Sequence, residues 1–232
     1  MKKRIVIVLI VFVILGVTIG MLVRCGGPST ANPGGNTQWA ERIEQQMDQM
    51  TLEEKVGQMT QITLSHLLKQ GENGPVEPFE LDPERLKKAV VDYKVGSILN
   101  CGGHANSLEK WHEIISQIQQ MATEETRLGI PVLYGIDAIH GANYTQDATL
   151  FPQQIAQAAT WNPALVKEAA SITAYETRAS GIPWNFSPVL GLGRQPAWPR
   201  FWETFGEDVY LTTILGTAMV KGFQGEQLTD DS

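Results

Sequence analysis

Cysteine is scarce in this sequence of 232 residues: Cys25 and Cys101 are the only two. If Cys25 is lipidated or removed with an N-terminal leader, Cys101 has no intrachain partner, and no disulfide framework exists. Cys101 and His104, close together in a glycine-rich turn, are too few ligands for a structural zinc site. Basic charge is scarce as well. Lys2, Lys3, Arg4 and Arg24 take four of the 18 basic side chains into the first 24 residues, which hold no acid. The rest of the chain therefore carries 14 basic against 25 acidic side chains, a net charge of −11. No cluster of Lys and Arg is left there to neutralise phosphates, which disfavours nucleic acid as a partner. No G-x-G-x-x-G opens a helix after a strand-like run, which disfavours a dinucleotide. Disorder is disfavoured too, because 43% of residues are apolar and 19% are charged, proportions that fit a globular core.

A long apolar run occurs once. IVIVLIVFVILGVTIGMLV, residues 5–23, follows the basic Lys2-Lys3-Arg4, and as a helix it would reach roughly 28 Å, close to the hydrocarbon thickness of a bilayer. A basic start and an apolar centre predict export, with the body on the far side of the membrane. Residues 1–25 thus read as a signal or membrane anchor, or as a lipoprotein signal. LVRC at 22–25 is an imperfect lipobox that makes Cys25 the lipidation candidate. GGPSTANPGGNT, residues 26–37, is small, polar and rich in Gly and Pro, the composition of a flexible linker.

The body, residues 38–232, alternates two periodicities. Trp39, Ile43, Met47 and Met50 recur at helical spacing over 38–50. Thr51 and Glu54 form a capping-box pattern that opens a second helix. A loop over 71–82 precedes a helix from Pro83. Then short apolar runs (VGSILN, 95–100; IPVLYGI, 130–136; WNFSPVL, 184–190) alternate with helical patterns over 108–122, 152–159 and 163–180. In the last of these, Leu165, Ala169 and Ile172 share one face. Strands alternating with helices predict parallel βα units, and strands without period-two alternation predict burial on both faces. The fold class is α/β, a (β/α)8 barrel or a doubly wound sheet, with each unusual polar cluster just after a strand run, where either fold builds its site. A full barrel needs about 250 residues, so only the N-terminal part of a barrel is expected here.

Two of those clusters could carry chemistry. Asp137 and His140 lie in YGIDAIHG; they read as a helix cap or loop brace, as a weak metal pair or, for Asp137, as a catalytic acid. The second cluster, GRQPAWPRFWETFGED (193–208), sets Arg194, Arg200 and Glu203 among Trp198, Phe201, Trp202 and Phe205. It reads as a rigid surface loop, a membrane-facing patch or a sugar site, since indole faces stack on pyranose rings while guanidinium and carboxylate groups bind hydroxyls.

TLEEKVGQMTQ (51–61), YGIDAIHG (134–141), FPQQIAQAATWNP (151–163) and RQPAWPRFWETFGED (194–208), in that order, resemble glycoside hydrolase family 3. Pro199 departs from the family pattern, which has glycine between Trp and Arg, and predicts a stiffer or differently bent loop. The resemblance implies the N-terminal barrel domain of an exo-acting, retaining enzyme. Such an enzyme releases terminal β-D-glucose from β-glucosides or short β-glucans with no cofactor or metal. A β-xylosidase or N-acetylglucosaminidase of the same family is the nearer alternative, and a non-catalytic, membrane-tethered glycan-binding protein the more distant one. By similarity Asp137 and Arg200 bind the terminal sugar, Arg194 joins them, and Glu203 and His140 support. The family's nucleophile lies in an S-D-W-type segment and its acid/base in a later domain, with a Lys-His pair between. None of these motifs occurs here, so the expectation is a truncated barrel whose cutting carboxylates lie beyond Ser232.

Overall fold

The computed structural model describes residues 37–72, 74–101 and 103–225. The anchor or lipoprotein segment with Cys25, and the linker up to residue 36, lie outside the described residues. No helix among the described residues is long and apolar enough to cross a membrane. The chain divides into two units, one ending at Met50 and the other starting at Thr51. The first presents helix α1 (Thr37–Gln49). Trp39, Ile43 and Met47 recur every four residues along it and are exposed, with the Arg42 guanidinium 4.7 Å from the centre of the Trp39 ring.

The second unit opens with α2 (Leu52–Gln58) and the predicted capping box. Thr51 Oγ1 accepts from the Glu54 amide at 3.2 Å, and Glu54 Oε2 accepts from the Thr51 amide at 2.8 Å. The same carboxylate accepts from Arg127 Nε at 3.0 Å and Nη2 at 2.6 Å, which ties the start of the unit to a residue 73 positions later. The Arg127 bonds first, and the Thr51 amide second, hold the Glu54 carboxyl at about 2, against an ordinary value of 4.5. A folded-state value below the unfolded one gives stability that is complete above about 4.5 and lost as pH falls toward about 2. Thermal melts across that window should slope less for Glu54→Gln than for the wild type. Equal slopes would show that the pair contributes nothing to acid stability.

After α2 come β1 (Gln61–Thr63), a 3-10 turn (Leu64–Leu67) and a small antiparallel hairpin of β2 (Gln70–Gly71) and β3 (Gly74–Pro75). Helix α3 (Pro83–Lys87), capped by Asp82, continues as a π-helical turn (Lys88–Asp92) into β4 (Ser97–Leu99). Then follow α4 (Leu108–Glu124), β5 (Leu133–Ile136), α5 (Gln154–Ala158), α6 (Pro163–Ala179), β6 (Trp184–Asn185) and α7 (Val209–Gln224). Ser107, Asn162 and Asp208 cap α4, α6 and α7 with their side-chain oxygens, so each long helix starts where a short polar residue can satisfy its first amides.

The four-stranded sheet has the order β1-β4-β5-β6 and is parallel throughout. Apart from the β2–β3 hairpin inserted between β1 and β4, spatial neighbours follow chain order, with no reversal. A doubly wound sheet reverses at its switch point; this one does not, and it is a segment of a (β/α)8 barrel. Ile98, Val132, Tyr134 and Ile136 meet Trp111, Ile114, Ile118 and Ala122 of α4 in the main core. Trp111 is fully buried, edge to face with Tyr134 at 5.8 Å, and its indole N–H donates to the Tyr144 carbonyl at 3.0 Å. A second core joins Val166 and Ala170 of α6 to Leu215 and Met219 of α7, with Phe205.

Three details differ from the sequence reading. Strand β1 and the hairpin were not expected. The strand over 184–190 pairs only through Trp184 and Asn185: Pro188 has no amide to offer, and the buried Gln154 side chain takes both the Val189 amide (2.9 Å) and carbonyl (3.0 Å). The buried face of α6 is Val166, Ala170, Thr173 and Thr177, while Leu165 and Ile172 are exposed. Close helix contact selects those small residues. A Cβ on Gly222 of α7 would stand 2.6 Å from Ala170 Cβ and overlap the Lys167 carbonyl.

Candidate functional site

The parallel ladder aims the C-terminal ends of β4, β5 and β6 the same way: Asn100 and Asn185 lie at the level of Ile136, and Asp137 follows one residue beyond. Gly135 makes room beneath Asp137. A Cβ there would stand 2.7 Å from Phe186 Cε1 and 2.9 Å from Trp184 Cε3, so only glycine admits the edge-to-face Trp184–Phe186 pair. The Asp137 backbone amide donates to Asn100 Oδ1 at 3.3 Å. Its carboxylate, by contrast, enters no hydrogen bond or ion pair among the described residues. Half-buried, with acceptor capacity unused, it gives the capping and loop-brace readings no bond to rest on.

Its charge reaches two neighbours. Arg200 Nε and Nη2 bind Glu203 Oε2 at 2.7 and 2.5 Å. This hydrogen bond first, the Glu203 charge second and the Asp137 charge to a smaller extent raise the guanidinium pKa above its ordinary value. Burial pushes the Tyr144 phenol up, and the Asp137 charge adds to it. Arg200 and Tyr144 thus both feel the Asp137 charge, although no ion pair joins Asp137 to Arg200 among the described residues. Glu203 holds Arg200 from below, its side chain 14% exposed against 55% for Arg200. The 3-10 turn Phe201–Glu203 makes this an i, i+3 pair. Pro199 sits in a closed turn of this loop. The Phe201 amide donates to the Trp198 carbonyl at 3.1 Å, which places Pro199 at the second position of a turn, where its fixed φ is favoured.

The other predicted residues lie elsewhere. His140 braces the loop: its Nδ1 contacts the Phe151 carbonyl at 3.1 Å, and the Phe151 amide donates to the His140 carbonyl at 2.8 Å. Arg194 is exposed, and no ion pair among the described residues includes it. Cys101 is a free, half-buried thiol whose pKa burial raises. His104 turns to Glu77 and stacks on Phe79 at 5.2 Å. No group of three or more His, Cys, Asp or Glu among the described residues could hold a metal ion. Sequence reasoning missed Asn100, Asn185 and Tyr144. Asn100 ends the apolar run 95–100 just before a polar cluster, but Asn185 is only the second residue of the run 184–190, and neither position reveals which strand it serves.

The model of the Glycosyl hydrolase family 3 N terminal domain matches residues 51–230. The chain belongs to glycosyl hydrolase family 3. It is 40% identical over 191 residues to a family relative, the "Lysosomal beta glucosidase" of Dictyostelium discoideum, covering 79% of this chain and 22% of that one. A "Beta-xylosidase" of Formosa agariphila is also 40% identical, over 118 residues, with 49% of this chain and 16% of that one covered. Among solved structures, a mutant exo-1,3/1,4-beta-glucanase from a Pseudoalteromonas species superposes with a TM-score of 0.68 at 30% identity, covering 82% of this chain and 29% of that one. A family 3 beta-N-acetylglucosaminidase from Paenibacillus gives 0.63 at 27%, covering 78% and 32%. The chain thus spans less than a third of the length of each of these relatives.

Proposed function

We propose that residues 51–225 form the sugar-gripping part of an exported β-glucosidase that releases terminal, non-reducing β-D-glucose from β-glucosides and short β-glucans. The observation that carries this reading is the Asp137 carboxylate, free of protein partners among the described residues at the mouth of a barrel strand and within electrostatic reach of the Glu203-held Arg200. A carboxylate and a guanidinium that feel each other's charge can present acceptors and donors to hydroxyls of one ring. In this reading Asp137 and Arg200 bind the terminal sugar, Glu203 fixes Arg200, and Arg194 closes the rim. Retention of configuration requires two further carboxyl groups about 5–5.5 Å apart, and this reading assigns neither of them to Asp137. The N-terminal segment with Cys25 would hold the protein at a membrane on the periplasmic or cell-surface side.

The beta-xylosidase relative favours a second reading at the same site, a pentose in place of glucose, because its identity equals that of the beta-glucosidase relative. Glucose, xylose and N-acetylglucosamine should be titrated separately into the purified chain and followed by protein-detected NMR. Glucose is expected to bind most tightly, with shifts centred on the amides of Asp137 and Arg200. Tighter xylose binding would transfer the assignment to the xylosidase reading, and no binding of any sugar would remove both.

A further inference from the structure

The strand ladder stops one residue short of the acid it presents. β5 pairs through Leu99↔Gly135 on one side and Ile136↔Asn185 on the other. Its last backbone bonds run from the Asn100 amide to the Gly135 carbonyl at 2.9 Å and from the Phe186 amide to the Ile136 carbonyl at 3.0 Å. The next peptide groups belong to Asp137 and Ala138, and Ala138 is fully buried. Groups so enclosed need partners from the protein.

Side chains supply them from both neighbouring strands. Asn100 Oδ1 accepts from the Asp137 amide. Asn185 Oδ1 accepts from the Ala138 amide, and Asn185 Nδ2 donates to the Ala138 carbonyl, both at 3.0 Å. One donor and one acceptor on a planar amide reproduce what a paired strand would offer. Because its two partners are an N–H and a C=O, only one orientation of the Asn185 amide fits. Asn100 is held in turn. Its φ of 59° lies in the left-handed region that asparagine tolerates, and its carbonyl accepts from the buried Tyr134 hydroxyl at 2.5 Å. The Asp137 side chain thus leaves from a backbone segment gripped on both flanks, while its own carboxylate stays unbonded.

We propose that Asn100 and Asn185 are positioning residues that set the direction of the Asp137 carboxylate toward the bound sugar. This inference rests on the reading of Asp137 as a sugar ligand. Neither asparagine touches the sugar in this arrangement; each acts through the backbone at 137–138. Bonds on both flanks remove the freedom that a strand end would otherwise have, so the carboxylate meets the ligand without a reorganisation cost.

The test is a D-glucose titration of the purified chain by NMR, with Asn185→Ala and Asn100→Gly each made alone and in an Asp137→Ala background. Asn100→Gly keeps a left-handed backbone accessible and removes only the side-chain acceptor, so it carries the test if Asn185→Ala fails to fold. Asn185→Ala should weaken glucose binding on the order of tenfold, and Asn100→Gly about threefold, coupling of the size seen within one hydrogen-bond network. In the Asp137→Ala background neither should weaken it further, although both should still lower the melting temperature. Equal losses in both backgrounds, or no loss in either, would overturn the positioning role alone. Unchanged glucose binding in the single Asp137→Ala variant would overturn the sugar assignment and the positioning role with it.

Discussion

Asp137→Ala, in a catalytically complete enzyme carrying this segment, is expected to lower kcat/KM for an aryl β-D-glucoside by about 10²- to 10⁴-fold. The range follows from roughly 1.5–3 kcal/mol for each charge-assisted hydrogen bond, with two bonds lost at adjacent sugar hydroxyls. No protein group would lose a bond, because the carboxylate binds none among the described residues, so the melting temperature should stay close to that of the wild type. That pairing of outcomes separates a ligand-binding acid from a structural one. Asp137→Asn keeps one acceptor and should fall between the two. Near wild-type turnover by the alanine variant would sink the assignment, and a large drop in melting temperature would return Asp137 to a loop-bracing role.

Trp111→Ala is expected to cost about 3–5 kcal/mol of stability, the range for deleting a large buried aromatic. A domain of this size has a total of about 5–15 kcal/mol, so melting should fall by on the order of 10 °C. The indole reaches from α4 to Tyr134 beneath the site and to the Tyr144 backbone beside it. Its loss should therefore loosen the loop that follows Asp137 as well as the core. Trp111→Phe is the control. It keeps a ring against Tyr134, and the Tyr144 carbonyl still accepts from the Asn106 amide at 2.9 Å, so about 1 kcal/mol should be lost. Comparable losses for the two variants in a denaturant titration would mean that the hydrogen bond, and not ring burial, carries the effect.

Helix boundaries were the most legible part of this protein in its sequence, because their caps are local. Thr51, Asp82, Ser107, Asn162 and Asp208 each make the capping bond within three residues. The central strands were legible through their unbroken apolar runs. Gln61-Ile62-Thr63 was not, since three residues with polar ends carry no periodicity, and they become a strand only through pairing with Ser97–Leu99. The buried face of α6 was misread because large apolar residues draw the eye, whereas the interface with α7 is built from Val166, Ala170 and a glycine of α7. At the site, Asp137 and Arg200 stood out by type and context. Asn100 and Asn185 did not, because their role depends on which strands flank β5, and only the three-dimensional register supplies that.

The strand order has a kinetic consequence. Each strand of the main sheet lies beside the previous strand of that sheet, with only the β2–β3 hairpin intervening between β1 and β4, so each can pair as soon as it is made. Paired residues are 36 apart across β1–β4 and β4–β5 and 49 apart across β5–β6, and the entropic cost of closing such loops grows only slowly with length. A ribosome extends the chain from the N-terminal side, at about 5–20 residues per second. Every βα unit can thus dock on a neighbour already made, and the barrel segment can assemble in the order of its synthesis. Exchange protection measured on stalled nascent chains should appear at β4 before β5 and at β5 before β6.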